Sequence, residues 1–325
     1  MTLMKLAQLA GVSVGTVSKA FSGSREVGED TKERIFELAK ANGCFDKYYK
    51  NPRKHPLVAL LFPEPESEFY ARTIGLFEHA FRERGVDVVI SFTRFDPARE
   101  AELFREFAYG MRVDGVVLSG EGTMICNPDE LPLVTFSNRK HAASNSDAVR
   151  VDFEGGMRSL VQTVKDYGHT EVGFFGEALT AGKERSLRSV MREVGLQVQD
   201  RFFFASKKRF MEAGEDGMRA LIERGALPSV IVTAYDQIAY GAMKYAKARG
   251  YRVPEDISFV GIDDISPTPY LGVPLCSLHI DFESVCDGIV ELILRRMENR
   301  HYRSREEITV PVTVHIRESL KKIIK

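Results

Sequence analysis

The residues best suited to chemistry stand close together near the amino end, in the run Leu6 to Gly23 (LAQLAGVSVGTVSKAFSG). Ser13, Thr16 and Ser18 offer hydroxyls, Lys19 an ammonium and Gly15 a bare stretch of backbone. Hydroxyls and an ammonium on one side of a helix donate to phosphate oxygens. Small residues in its first turn let it close on base edges in a major groove. This is the chemistry of recognition, with nothing in it that makes or breaks a bond.

Those side chains need helices to hold them. Leu6, Ala7, Leu9 and Ala10 recur at helical spacing, Gly11 breaks the run, and Val14, Val17, Ala20 and Phe21 supply a second apolar stripe. Two short helices joined by a tight glycine turn form a helix-turn-helix. A plain helical hairpin shares that pattern, so the surroundings decide. Thr2 and Ser13 are suited to cap the two helices. A third helix is expected to carry Glu29 and Asp30 in its first turn, Ile35, Leu38 and Ala39 on its buried face, and Asn42-Gly43 as its stop. Residues 1–54 hold ten Lys/Arg against six Asp/Glu, a net of +4, whereas the whole chain is −1 and the remainder therefore −5. A basic head on an acidic body is the asymmetry of a chain whose head alone meets phosphate.

The bulk properties narrow the class. With 325 residues, 44% of them hydrophobic and 28% charged, two or three soluble domains are expected. No apolar run approaches the roughly 20 residues that span a bilayer. The opening MTLMKLAQLAGVS lacks the layout of a signal peptide. Cys44, Cys126, Cys276 and Cys286 are far apart and form no C-x-x-C pair, which reads as reduced thiols in a cytoplasmic protein. The seven histidines are scattered, and no G-x-G-x-x-G, Walker or metal-ligand spacing is present. No metal, cofactor or membrane partner is expected. A Rossmann-like enzyme or a cytosolic sugar-binding protein without a DNA role are the alternatives. A transport component would need a leader and has no use for the head.

After Gly43 the polar, basic stretch CFDKYYKNPRKHP reads as a linker, here taken as 46–56 after a head of 1–45. From Leu57 onward, apolar strands at 57–62, 86–92, 113–119 and 132–137 alternate with helices from about Glu68 to Arg84 and over 97–110. The alternation resumes with strands at 148–152, 171–176, 201–206, 229–234 and 256–262. Helices fall between them near Glu154, at Lys183–Val194, over 211–224 and over 235–250. Buried strands alternating with amphipathic helices indicate two doubly wound parallel-sheet lobes behind a small all-α head, an α/β fold. Such sheets take ligands at the carboxyl ends of their strands.

These motifs together resemble the LacI/GalR family of bacterial repressors. LAQLAGVSVGTVSKAFSG is similar to that family's A-x-x-A-G-V-S-x-x-T-V-S-R, with Lys19 in place of arginine. VPEDISFVGIDD (253–264) resembles V-P-x-D-x-S-x-x-G-F-D-D, and AYDQIAYGAMKYAKARG resembles A-x-N-D-x-x-A-x-G-x-x-x-A. RVDGVVLS, VDFEGG and YGHTEVGFFG fall in family order, so the likeness runs from about residue 2 to 319. It implies a core like the type I periplasmic sugar-binding proteins, with lobes of about 57–152 plus 281–309 and 153–280 plus 310–325. It also implies a homodimer on a pseudo-palindromic double-stranded operator, controlled by a small effector of the sugar class.

Carried over residue by residue, the resemblance puts Val14, Gly15 and Lys19 against bases. Val14 offers an apolar contact, Gly15 no side chain, and Lys19 a point charge where arginine would be bidentate. Ser13, Thr16 and Ser18 fall on phosphates, with local capping as the second reading of Thr16 and Ser18. The family's hinge helix wedges a leucine into the minor groove. Here that position is Arg53, and Pro52 disfavours helix at Asn51. Lys47, Lys50 and Arg53 then read either as contacts to the DNA backbone or as a solvated tether. On the ligand side, Asp236 and Asp263 fall on positions that accept from ligand hydroxyls, and Phe69 and Tyr70 where an aromatic face stacks. Lys183 falls on the clamping arginine, with Arg185 beside it and Tyr235 replacing an asparagine. Arg139 follows the fourth strand. This substituted set suits an anionic or polyol effector.

Overall fold

The computed structural model describes residues 1–24, 26–49, 54–120, 125, 127, 131–136, 146–299 and 304–323, with only the backbone described at Asp46. The head begins with α1 (Leu3–Ala10), α2 (Val14–Phe21) and α3 (Glu29–Ala41). Each break has a local cause. Thr2 Oγ1 accepts from Lys5 N at 3.3 Å, and Ser13 Oγ from Thr16 N at 3.0 Å, so both leading helices carry a side-chain cap. Gly11 ends α1 at φ 64°, a left-handed geometry that costs a glycine little, and its N–H returns to Ala7 and Gln8 carbonyls. Leu6, Val17, Ala20, Phe21, Ile35 and Phe36 seal the core. Leu9, expected on the sealed face, is 52% exposed, and Leu38 is only half-buried while Phe36 takes its place.

The stretch after Gly43 differs from a polar tether. Phe45–Tyr48 form a four-residue helix, α4, and Phe45, Tyr48 and Tyr49 pack against the head's core. Phe45 meets Phe36 edge-on at 5.5 Å, and Tyr48 OH donates to Met1 O at 2.8 Å. Three aromatic rings in five residues bring enough apolar area to hold this segment, at roughly 1.5–3 kcal/mol per fully buried ring. The head therefore extends to about Tyr49.

Next come β1 (Leu57–Phe62), α5 (Glu68–Arg82), β2 (Asp87–Phe92) and α6 (Pro97–Arg105). The helix expected over 97–110 changes type at Glu106 and runs to Met111 as a π-helical turn. That wider turn puts Phe107 in the sheet core and Tyr109 in the head's core. β3 (Gly115–Leu118), β4 (Leu133–Phe136) and β5 (Asp147–Val151) follow, then α7 (Phe153–Asp166), β6 (Val172–Glu177), α8 (Ala181–Glu193), β7 (Phe203–Ser206) and α9 (Phe210–Glu223). The chain continues through β8 (Val230–Thr233), α10 (Asp236–Ala248), β9 (Ser258–Asp263) and β10 (Cys276–Ile280), and finishes with α11 (Phe282–Glu298), β11 (Glu307–Val310) and β12 (Val312–His315).

Two units result. One is Met1–Arg150 with Phe282–Ile308, the other Val151–Asp281 with Thr309–Lys325. Their sheets run β11-β5-β4-β3-β1-β2 and β12-β10-β9-β8-β6-β7. Within each, five successive strands pair in parallel, and β12 joins β10 antiparallel. The fully apolar runs fit this: Val58 to Phe62 and Val230 to Val232 are buried on both faces. In each sheet the order reverses once, between β1 and β3 and between β6 and β8. Helices leave to opposite faces there and a crevice opens at the strand ends. No helix among the described residues is long and apolar enough to cross a membrane.

Candidate functional site

The head's reading face is the first turn of α2. Ser13 Oγ holds Thr16 N and lies 2.8 Å from Thr16 Oγ1, so these two hydroxyls are engaged in the cap. Val14 is 43% exposed and Gly15, Ser18 and Lys19 are exposed beside it. A Cβ at Gly15 would meet only Ser13 Oγ, at 3.6 Å, so the glycine leaves room for a close approach. Lys19 pairs with Glu26, both well exposed. An exposed pair of this kind is worth about 0–1 kcal/mol, and a guanine can displace it. Lys47 is exposed, with its ammonium 5.4 Å from the Tyr48 ring centre. Lys50 and Arg53 lie outside the described residues.

The second unit presents a charged strand edge. Lys183, in the first turn of α8, donates to Ala234 O at 2.7 Å and to Asp263 Oδ1 at 3.3 Å, and lies over Phe153 at 5.8 Å. Burial raises the Asp263 carboxyl, and Lys183 pulls it back without cancelling the effect. Tyr235 caps α10, and its hydroxyl accepts from Phe210 N at 2.9 Å. Burial pushes this phenol up to about 12, so it is neutral at any working pH. Arg185 is exposed on α8.

Asp236 is placed differently. It is fully buried, and its carboxylate accepts from Ser277 Oγ (2.6 Å), Ile265 N (2.9 Å) and Thr268 Oγ1 (3.2 Å). Gly261 makes the space, since a Cβ there would lie 1.9 Å from Asp236 Oδ1. The carboxylate that sequence reasoning aimed at a ligand thus ties β9, β10 and the loop after β9 together inside the wall.

Next to it stands a cluster that sequence reasoning missed. Asp263 and Asp264 both have positive φ, 98° and 52°. This backbone strain is held by the contacts Asp264 makes. Asp264 takes two hydrogen bonds from Arg317 (2.7 and 3.1 Å), one from His279 Nδ1 (3.0 Å) and one from His315 Nδ1 (2.7 Å). Burial would raise this carboxyl, but Arg317 and His315 overcome it and hold the group below the usual range. The three side chains Asp264, His279 and His315 form a group of the kind that holds a metal ion. Their geometry suits hydrogen bonding better. The imidazoles stack at 4.2 Å and 12°, so their in-plane lone pairs run side by side and do not converge, and the carboxylate is already gripped by a guanidinium. His169 is also engaged: it is buried, 2.9 Å from both Ser229 Oγ and Lys321 O, and burial lowers its pKa.

The first unit's strand edge is aromatic. Phe69 and Tyr70 open α5 at the carboxyl end of β1, both half-buried. Phe69 stacks on Phe136 at 6.1 Å and meets Phe282 and Tyr70 edge-on at 5.2 and 5.0 Å. Arg139 lies outside the described residues. So the fold gathers Phe69 with Tyr70 on one edge, Lys183 with Tyr235 and Asp263 on the other, and withdraws Asp236 into the interior.

Comparison with known proteins adds the following. Residues 2–43 match the bacterial regulatory proteins of the lacI family, and residues 161–320 match the periplasmic binding protein-like domain. The HTH-type transcriptional regulator GanR of Bacillus subtilis (strain 168) is 27% identical, over 98% of this chain and 99% of its own length. Among solved structures, a transcriptional regulator CelR–cellobiose complex is 25% identical with a TM-score of 0.68, covering 98% of this chain and 99% of that one. A lac repressor dimer bound to operator and an anti-inducer shares the fold at 19% identity, with a TM-score of 0.69 and 98% of each chain covered.

Proposed function

From the membership of this chain in the LacI family of transcriptional regulators, we propose that it is a ligand-responsive repressor of carbohydrate-metabolism genes, working in the cytoplasm as a homodimer on a pseudo-palindromic operator. It is a DNA-binding regulator and not an enzyme. The observation that carries the reading is the polarity of α2: Val17, Ala20 and Phe21 are sealed in the core while Val14, Gly15, Ser18 and Lys19 face outward. Ser13 and Thr16 fix the first turn that meets the bases. Val14 selects by apolar contact, for instance with a thymine methyl, and Lys19 leaves Glu26 for a guanine or a phosphate.

The effector is a hydroxyl-rich or anionic small molecule. Lys183 and Asp263 supply a donor and an acceptor, Tyr235 a neutral phenol, and Arg185 an exposed cation. Phe69 and Tyr70 offer apolar faces of the kind that lie against a sugar ring. That the CelR structure holds cellobiose supports the sugar class. Binding of effector and operator are linked, so a ligand that weakens the operator complex binds that complex less tightly than the free dimer.

Gel-shift titration against the upstream region of the chain's own gene tests the reading at moderate salt. Fragments with inverted repeats should bind far more tightly than random DNA, and equal binding would refute it. A thermal-shift screen of sugars, sugar acids and sugar phosphates should then find a ligand that raises the melting point.

A further inference from the structure

We propose that Arg112 docks the DNA-reading head onto the first unit's sheet by capping the carboxyl end of α2, and so fixes the angle at which the reading face is presented. Arg112 follows the π-helical turn and precedes β3, in a left-handed conformation (φ 54°) that a non-glycine residue keeps only when its surroundings demand it. Its guanidinium donates to the carbonyls of Ala20 and Phe21. These belong to the last turn of α2, where no further turn supplies N–H donors and the helix dipole is negative. The same guanidinium lies over Phe36 at 4.6 Å and Tyr49 at 4.8 Å. Tyr49 OH donates back to Arg112 O at 3.0 Å, and Tyr109, from the adjoining turn, is buried in the head's core.

The residue is 8% exposed, and burial lowers its pKa to about 10, so it stays charged at neutral pH. A buried cation of this kind is tolerable only while its carbonyl and aromatic partners surround it. Docking therefore links the head to the sheet cooperatively: undocking exposes the aromatic seat and strands the carbonyls together. The seam also contains a cavity of about 60 Å³ lined by Phe36, Phe45, Tyr49, Tyr109 and Arg112, so its packing is incomplete and the docked state can open. Docking does not hide the reading face, since Val14, Gly15, Ser18 and Lys19 remain exposed in it. α4 spends its rings on the head's core, so the connection through Arg112 can do what a hinge helix would otherwise do.

The docking stands on geometry alone, while its consequence for operator binding rests on the function proposed above. Hydrogen exchange and limited proteolysis of the full-length chain test the first, and operator and effector titrations the second. Arg112→Ala should speed exchange of the amides at the end of α2 and in α3 by about tenfold or more, with melting of both α/β units unchanged. It should weaken operator binding by about tenfold, because each head then pays orientation on binding, and leave effector binding unaltered. Arg112→Lys keeps the charge without the fork and should fall between. Tyr49→Phe, which removes one hydroxyl, should loosen the head by a few-fold and serves if Arg112→Ala does not fold. Unchanged exchange and cleavage in Arg112→Ala would overturn the docking. A released head with undiminished operator affinity would overturn its role in presentation. If the wild-type chain binds no operator, the function fails and the exchange data still decide the docking.

Discussion

The two strand edges share one plan and carry opposite chemistry. Both sheets reverse strand order at the same point, between β1 and β3 in one unit and between β6 and β8 in the other. At the first edge the side chains are rings: Phe69, Tyr70, Phe136 and Phe282 touch one another and bear no charge. At the second they are ionic: Lys183, Asp263, Asp264 and Arg317 bond in pairs, with His279 and His315 added. The fold therefore fixes where a ligand can be met, and the residues at that place fix which chemical group is met. An aromatic edge tolerates substitution of shape, whereas an ionic edge depends on each partner, because a buried charge that loses its partner is left unpaired.

That contrast can be broken most forcefully at Asp264. Asp264→Ala removes the carboxylate that serves Arg317, His279 and His315 at once, and should cost about 3–5 kcal/mol of stability. Urea unfolding followed by hydrogen exchange should show the loss confined to the second unit. Lys183→Met keeps the length of the side chain and removes the donor to Ala234 O and Asp263. It should weaken effector binding by roughly 10- to 100-fold, the worth of a charged hydrogen bond, in an isothermal titration.

A smaller effect with a distinctive sign is expected at Asp236→Asn. Burial first, and Asp263 second, push the Asp236 carboxyl well above the usual range, so the folded chain holds a proton that the unfolded chain releases. Its contribution to stability is greatest at low pH and falls as pH rises above about 3.9, the titration of the unfolded group. Asp264, held below that range, has the opposite sign and loses its contribution as pH falls through its folded value. The amide should cost about 1 kcal/mol and flatten the decline of stability with rising pH. The aromatic edge should respond least: Phe69→Leu is expected to cost about 1 kcal/mol and to change effector affinity by a few-fold. A loss as large as that of Lys183→Met would erase the distinction between the edges.

What the sequence discloses follows from how local each signal is. β1 at 57–62 is legible because its run is apolar and bounded, and α2 because Ser13 and Gly11 mark its ends. α4 is hidden because basic residues stand among its rings and mask the apolar area of Phe45, Tyr48 and Tyr49. Asp236 is legible as an acid at a helix start, but its partners come from β10 and the loop after β9, which no spacing reveals. His279 and His315 are distant in the chain and meet because β10 and β12 pair antiparallel, with Ser277 opposite His315 and His279 opposite Thr313. The helix over 97–110 changes to a π turn at Glu106 without a composition signal, and Arg112 owes its place to that change.

The triple passage between the units sets an order in time. The head ends by about Tyr49 and closes its core with nearby partners, so it can fold while the rest of the chain is still being made. The sheet behind it cannot. Its covering helix α11 begins at Phe282, after every parallel strand of the second unit, and buries Val285, Ile289, Val290 and Ile293. During synthesis the first sheet therefore waits, with β3 and β4 uncovered, for a helix encoded about 150 residues later. A nascent chain stalled before Phe282 would present that bare apolar surface, and chaperones should bind it there more than at any later length.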